Sequence, residues 1–237
     1  MWQQFLWVIY PYLAVAVFVV GHLYRYASDP YGWTARSSEF LEKRLLRWGS
    51  TLFHWGILLV FLGHLAGLLV PAWLYRSLGV SDALYHRMAV TAGGLAGATA
   101  LAGLLLLAYR RLRVARVRRT SSPADWVALA LLALVMGLGL YNTLGHNLLV
   151  AEYDYRFSIG PWLRGLLLFR PDPRRMAGVP LGYQLHVLAA FALLAAWPFT
   201  RLVHVWSLPL PYLWRRYVLY RRRAPGPSDA RANRLAG

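Results

Sequence analysis

Five stretches of this chain, residues 4–24, 50–73, 88–109, 126–145 and 179–200, contain no Asp, Glu, Lys or Arg. A helix needs about 20 residues to cross the hydrocarbon core of a bilayer. Backbone polar groups facing lipid must find their hydrogen bonds within their own segment, so each run is expected to be an α-helix. The expected fold class is an all-α membrane protein with five transmembrane helices. Residues 1–223 are expected to form one five-helix domain, and residues 224–237, polar and rich in Pro, Ala and Arg, a disordered tail.

The formal net charge is +17, from 26 basic and 9 acidic residues. Such a balance raises the question of a nucleic-acid partner, but the arginines stand beside the apolar runs, where they anchor a membrane protein. The segments between runs one and two, between runs three and four, and after run five together hold 19 basic residues; the remaining two loops hold 7. Positive residues stay in the cytoplasm. The expected topology therefore has a periplasmic N-terminus, a cytoplasmic C-terminus and a place in the bacterial inner membrane. The basic end is called inner below, the other outer. The first residues, Met-Trp-Gln-Gln-Phe, lack the basic n-region of a signal peptide, so the first run is expected to remain as a helix.

There is no cysteine. Disulfides, iron–sulfur ligation by this chain and thioether-linked haem are excluded. Histidine is left as the residue to hold a redox centre. Run two contains His54 and His64; His186 lies in run five and His204 just beyond it. A lone histidine at membrane depth is as often a packing residue as a ligand. Two on each of two helices are harder to place that way, because ionisable groups in the bilayer are costly. On one continuous helix His186 and His204, five turns apart, would share a face and lie roughly 27 Å apart along the axis. His54 and His64 would be separated by roughly 15 Å and about 80° of rotation. The two runs are antiparallel, so His54 and His204 fall toward the inner end and His64 and His186 toward the outer. One imidazole from each helix at each depth is the arrangement that clamps a haem iron from both sides. The unequal rises require tilt, and Pro198 offers a place to bend.

Small residues surround these histidines: Gly56, Gly63, Ala66 and Gly67 on run two, Ala189, Ala190 and Ala195 on run five. They leave room for a flat macrocycle, and they equally serve close helix packing. Arg201 is placed to pair with a haem propionate or to act as a positive-inside anchor. His22, His86 and His146, at run boundaries, are weaker candidates for haem ligation. A haem-free transporter or anchor would place carboxylates or broken helices at mid-membrane, and the runs show neither.

Several stretches carry a family resemblance over nearly the whole chain: Ile9-Tyr-Pro-Tyr12, Leu52-Phe-His-Trp-Gly-Ile-Leu58, Val60-Phe-Leu-Gly-His64, Met88-Ala-Val-Thr-Ala-Gly-Gly94 and Pro198-Phe-Thr-Arg-Leu-Val-His-Val-Trp-Ser-Leu-Pro209. The chain resembles the γ subunit of respiratory nitrate reductase, a dihaem cytochrome b of anaerobic respiration. The resemblance implies two haem b groups, one held by His54 and His204 and one by His64 and His186. It also implies oxidation of menaquinol or ubiquinol near the outer haem, with protons released outside. Electrons would pass to an iron–sulfur β subunit and then to nitrate at a molybdenum α subunit. The family places a lysine near the quinol, and Tyr85 stands at that position here. Tyr85, His86 or Arg87 would then supply the polar group, near His64 and the space beside Gly63. A membrane subunit of a sulfur-cycle reductase is the alternative that would keep all four histidines.

Overall fold

The computed structural model describes residues 1–28, 38–150 and 152–206. Every regular element among them is helical. Five helices are long and apolar enough to cross a membrane: Trp2–Ser28, Arg44–Leu69, Asp82–Arg113, Pro123–His146 and Leu181–Phe199. The chain is a five-span all-α membrane protein. The sequence expectation for residues 207–237, including the disordered tail at 224–237, falls outside the described residues.

Local chemistry sets the ends of the spans. The second stops at Leu69 rather than at residue 73. Pro71 disfavours helical backbone at the residue before it, and Val70 is extended (φ −80°, ψ 121°). The chain restarts as a short helix, Ala72–Ser77. The third span starts earlier than the charge gap suggested, because the Ser81 hydroxyl accepts from the Leu84 N–H at 3.2 Å and caps it. A capping box of Ser122 and Asp125 opens the fourth, with Pro123 in its first turn.

The second and third spans pack backbone to backbone. A Cβ on Gly56 would lie 2.5 Å from the Ala100 nitrogen, and one on Gly103 2.7 Å from the Phe53 Cα. Helices in lipid associate through such close contact, since burial of apolar surface gives them no advantage there. Gly56 therefore serves helix packing, one of the two roles its small size allowed. The fifth span packs on the fourth and the first. At the inner end Arg110, only 3% exposed, ties a loop to the third span. It donates to Glu42 Oε2 at 2.8 Å, to the Ser38 hydroxyl at 3.0 Å and to the Ser38 and Glu42 carbonyls, each at 2.7 Å.

The fifth span is not one helix through His204. Its α-helix ends at Ala196 and a 3-10 turn covers Trp197–Phe199. Thr200 is extended (φ −118°, ψ 179°), and a second 3-10 turn, Arg201–Val205, carries His204. The expectation of five continuous turns placing His186 and His204 on one face is therefore corrected. Pro198 has no N–H to continue the ladder. The carbonyls freed at the break are met from the first span, where Arg25 Nη1 donates to Pro198 O at 2.7 Å and Thr200 O at 2.9 Å. The Trp197 indole N–H donates to Leu202 O at 2.8 Å and fastens the turn back.

The segment between the fourth and fifth spans, called the outer loop, packs around a helix of its own. Its helix Ile159–Leu167 buries Ile159, Gly160, Trp162 and Leu166. Ile159, Trp162 and Leu166 join Trp7, Met176, Val179 and Tyr183 in a core cluster. The Trp162 indole N–H reaches the Trp7 carbonyl at 2.9 Å. Arg164 donates to Leu68 O at 2.6 Å, at the outer end of the second span.

Candidate functional site

The second and fifth spans scarcely touch, and the four histidines face one another across the gap. The ring centroids of His54 and His204 are 6.1 Å apart. Those of His64 and His186 are 6.0 Å apart. Two imidazoles sharing one metal through bonds of about 2 Å have centroids roughly 6 Å apart, so each pair has the span of a two-ligand site. Among the described residues no group of three or more His, Asp or Glu could hold a bare metal ion. The histidines offer pairs, which is what a planar group with four equatorial nitrogens of its own requires.

All four rings make the same second hydrogen bond. His54 Nδ1 lies 2.8 Å from Ser50 O, His64 Nδ1 2.8 Å from Val60 O, His186 Nδ1 3.0 Å from Val135 O and His204 Nδ1 2.7 Å from Arg201 O. A carbonyl only accepts, so Nδ1 carries the proton and Nε2 the lone pair. This is the orientation that readies an imidazole for a metal and raises its basicity. Space follows the same pattern. A Cβ on Gly63, beside His64, would meet nothing within 4 Å. A Cβ on Gly139, by contrast, would sit 3.0 Å from His186 Cε1, so that glycine makes room for the ring. Spacing and tautomer fit a flat iron macrocycle at both levels, and the open space beside Gly63 adds to the fit at the outer one.

Arg201 has a protein counterion. Its Nε is 3.7 Å from Asp125 Oδ1, and Arg111 Nη1 is 3.1 Å from Oδ2 of the same carboxylate. Arg201 also supplies the carbonyl that orients His204.

At the outer end, Tyr85 approaches the histidine level and His86 turns elsewhere. The Tyr85 and Tyr155 hydroxyls are 3.2 Å apart. Both lie against Gly67, three residues beyond His64, where a Cβ would come within 2.7 Å of the Tyr85 oxygen. Gly67 is thus small to admit two hydroxyls. His86 Nε2 instead lies 4.0 Å from the Glu152 carboxylate of the outer loop. Sequence reasoning missed Tyr155 and Arg156, whose guanidinium covers the Tyr85 ring. Nothing in the spacing of the loop signals that contact. Burial pushes the Tyr155 hydroxyl well above the usual phenol range. Burial also opposes the charge of Arg156, but hydrogen bonding and attraction from Asp154, joined by Asp82, reverse this and hold its pKa above the ordinary arginine value.

Comparison with known proteins identifies the family. A family model described as the nitrate reductase gamma subunit matches residues 3–223. The nitrate reductase gamma chain of Bacillus subtilis is 51% identical over 221 residues, 93% of this chain and 99% of that one. The respiratory nitrate reductase 1 gamma chain of Escherichia coli is 37% identical, over 93% of this chain and 98% of its own length. The nitrate reductase-like protein NarX of Mycobacterium tuberculosis is 43% identical over 94% of this chain, which covers 34% of that longer protein. The chain belongs to the nitrate reductase gamma subunit family.

Proposed function

We propose that this membrane subunit of nitrate reductase is a dihaem cytochrome b that oxidises quinol at its outer end and delivers the electrons to partner subunits at its inner end. The observation that carries the reading is the pair of facing histidine couples, 6.1 and 6.0 Å apart, with every Nδ1 committed to a backbone carbonyl. His54 and His204 hold the inner haem b, His64 and His186 the outer. Each haem, when bound, supplies a one-electron redox centre.

The residues of the chain do the rest. The Nδ1 hydrogen bonds keep all four Nε2 atoms in the ligating tautomer. Arg201, balanced by Asp125, offers a cation to a propionate at the inner level. Quinol, menaquinol or ubiquinol, binds beside Gly63 and His64, where the Tyr85 hydroxyl is the polar group available to a ring oxygen. His86, next to Tyr85 in the chain and 4.0 Å from the Glu152 carboxylate, is the group we assign to take the released protons. The N-terminus faces the periplasm and the basic end the cytoplasm of a bacterial inner membrane, as the distribution of arginines indicates. An iron–sulfur β subunit docks on that basic face and a molybdenum α subunit reduces nitrate.

The experiment is quinol-dependent reduction of the haems in membranes, compared between the native chain and His64→Ala. The native chain is expected to give a reduced b-type spectrum with quinol alone. The variant should respond only to dithionite. Quinol reduction at the native rate in His64→Ala would overturn the outer site.

A further inference from the structure

The outer loop brings a buried cation onto the third span. Arg156 is 1% exposed, and its guanidinium carbon lies 3.8 Å from the centroid of the Tyr85 ring. Its edge is held by carboxylates: Nη2 donates to Asp154 Oδ2 at 2.5 Å and Asp82 Oδ1 at 3.0 Å, and Nε donates to Asp154 Oδ1 at 2.9 Å. Asp82 is shared with Arg76, whose Nη2 is 2.6 Å away. Nη1 is buried and makes no hydrogen bond. The network holds the flat face of the guanidinium against the ring while spending its edge on the two carboxylates.

The other end of Tyr85 is where the chemistry lies. Its hydroxyl meets the Tyr155 hydroxyl at 3.2 Å, and both rest on Gly67, in the turn after His64. A cation over the face of a phenol stabilises negative charge in the ring and so strengthens the O–H as a donor. A second hydroxyl donating to the same oxygen strengthens it further. Tyr155 is suited to that part, because burial keeps its proton on. The two Asp and two Arg residues balance in formal charge, but the group in contact with the ring is the guanidinium.

We infer that Arg156 is a positioning residue of the outer quinol site, supplying through the Tyr85 ring the positive charge that makes the Tyr85 hydroxyl a strong donor to a ring oxygen of the quinol or quinone. The inference rests on the outer quinol site proposed above.

The test uses the assembled complex in membranes, a short-chain quinol and spectroscopic haem reduction, with haem content checked by dithionite. Arg156→Gln is made together with Asp154→Asn, so that no carboxylate is left unpaired; Asp82 keeps Arg76. This pair of changes is expected to raise the KM for quinol about thirtyfold, the size of a desolvated cation–π contribution, with kcat and haem content little changed. Tyr85→Phe should do the same, and adding it to the first pair should cost nothing more. Arg156→Lys, which keeps the charge, should restore most of the affinity. Native KM in the Arg156→Gln/Asp154→Asn chain, or effects that multiply with Tyr85→Phe, would overturn the inference. If that chain does not assemble, the remaining two variants decide. A raised KM in Tyr85→Phe with near-native KM in Arg156→Lys supports the assignment, and any other outcome contradicts it. Failure of the native complex itself to be reduced by quinol would remove the outer site, and is distinguishable because no variant is involved.

Discussion

The two histidine pairs share a spacing and differ in what supports it. In the outer pair His186 sits within a regular helix and donates across to Val135 of the fourth span. Gly139, one turn on, clears space for its ring. His64 is the last residue of the α-helical part of its span. In the inner pair both rings are oriented locally, His54 by Ser50 and His204 by Arg201. The turn that carries His204 is separated from its span by an extended residue and secured from outside by Arg25. His54 and His64 are both oriented by a carbonyl one turn back in their own helix. The pairs differ in the opposing ring, since His186 is fixed across helices whereas His204 depends on a joint. The same ring separation can therefore fail in two different ways, and substitutions should separate them.

The largest effects are expected at the ligands. His54→Ala should remove the inner haem and leave the outer, and His186→Ala should do the reverse; each halves the haem measured per chain. Loss of the opposite haem in either case would break the pairing. Next comes Gly103→Val. Its side chain would press on the backbone at Phe53, beside His54, where no flexible group can yield. Overpacking of this kind costs about 3 kcal/mol. Thermal unfolding in detergent should fall accordingly, with the inner haem spectrum disturbed more than the outer. Arg25→Gln tests the joint itself. Leaving two carbonyls short of their donor costs roughly 1–3 kcal/mol, and inner-haem retention should drop while the outer haem is unaffected. Equal loss of both haems would show that the joint is not local to the inner pair.

The smallest effect is one of pH. Burial alone would raise the Glu42 carboxyl, but hydrogen bonds from the Leu45 and Leu46 N–H groups and from Arg110 outweigh it and hold the group below its ordinary value. A depressed folded-state value means stabilisation present above the unfolded value of about 4.3 and lost as pH falls through the lower folded one. The unfolding temperature of the native chain should therefore exceed that of Glu42→Gln at neutral pH. The two should converge in acid, and a constant gap would contradict the role of the Glu42–Arg110 contact.

How much of this was legible in the sequence follows the same division. Uninterrupted apolar runs identify all five spans, because a charge inside a bilayer is too costly to be hidden. Helical depth alone also joins His64 with His186 and His54 with His204. The route to His204 was misread, since the sequence shows a proline but not that Arg25, far away in the chain, makes a full break tolerable. For Gly56 and Gly67 the sequence leaves room for a macrocycle and close packing equally open; the structure sets them against Ala100 and the two tyrosines. Arg156 left no trace, because its place over Tyr85 depends on how the outer loop folds against the third span, a contact between elements without a repeating pattern.

The central claim is that each facing pair holds a b haem, and a pyridine haemochrome assay on the purified chain tests it most directly. The account predicts two haem b per chain, with His64→Ala and His204→Ala each reducing the count to one. A native chain that contains one haem or none would contradict it.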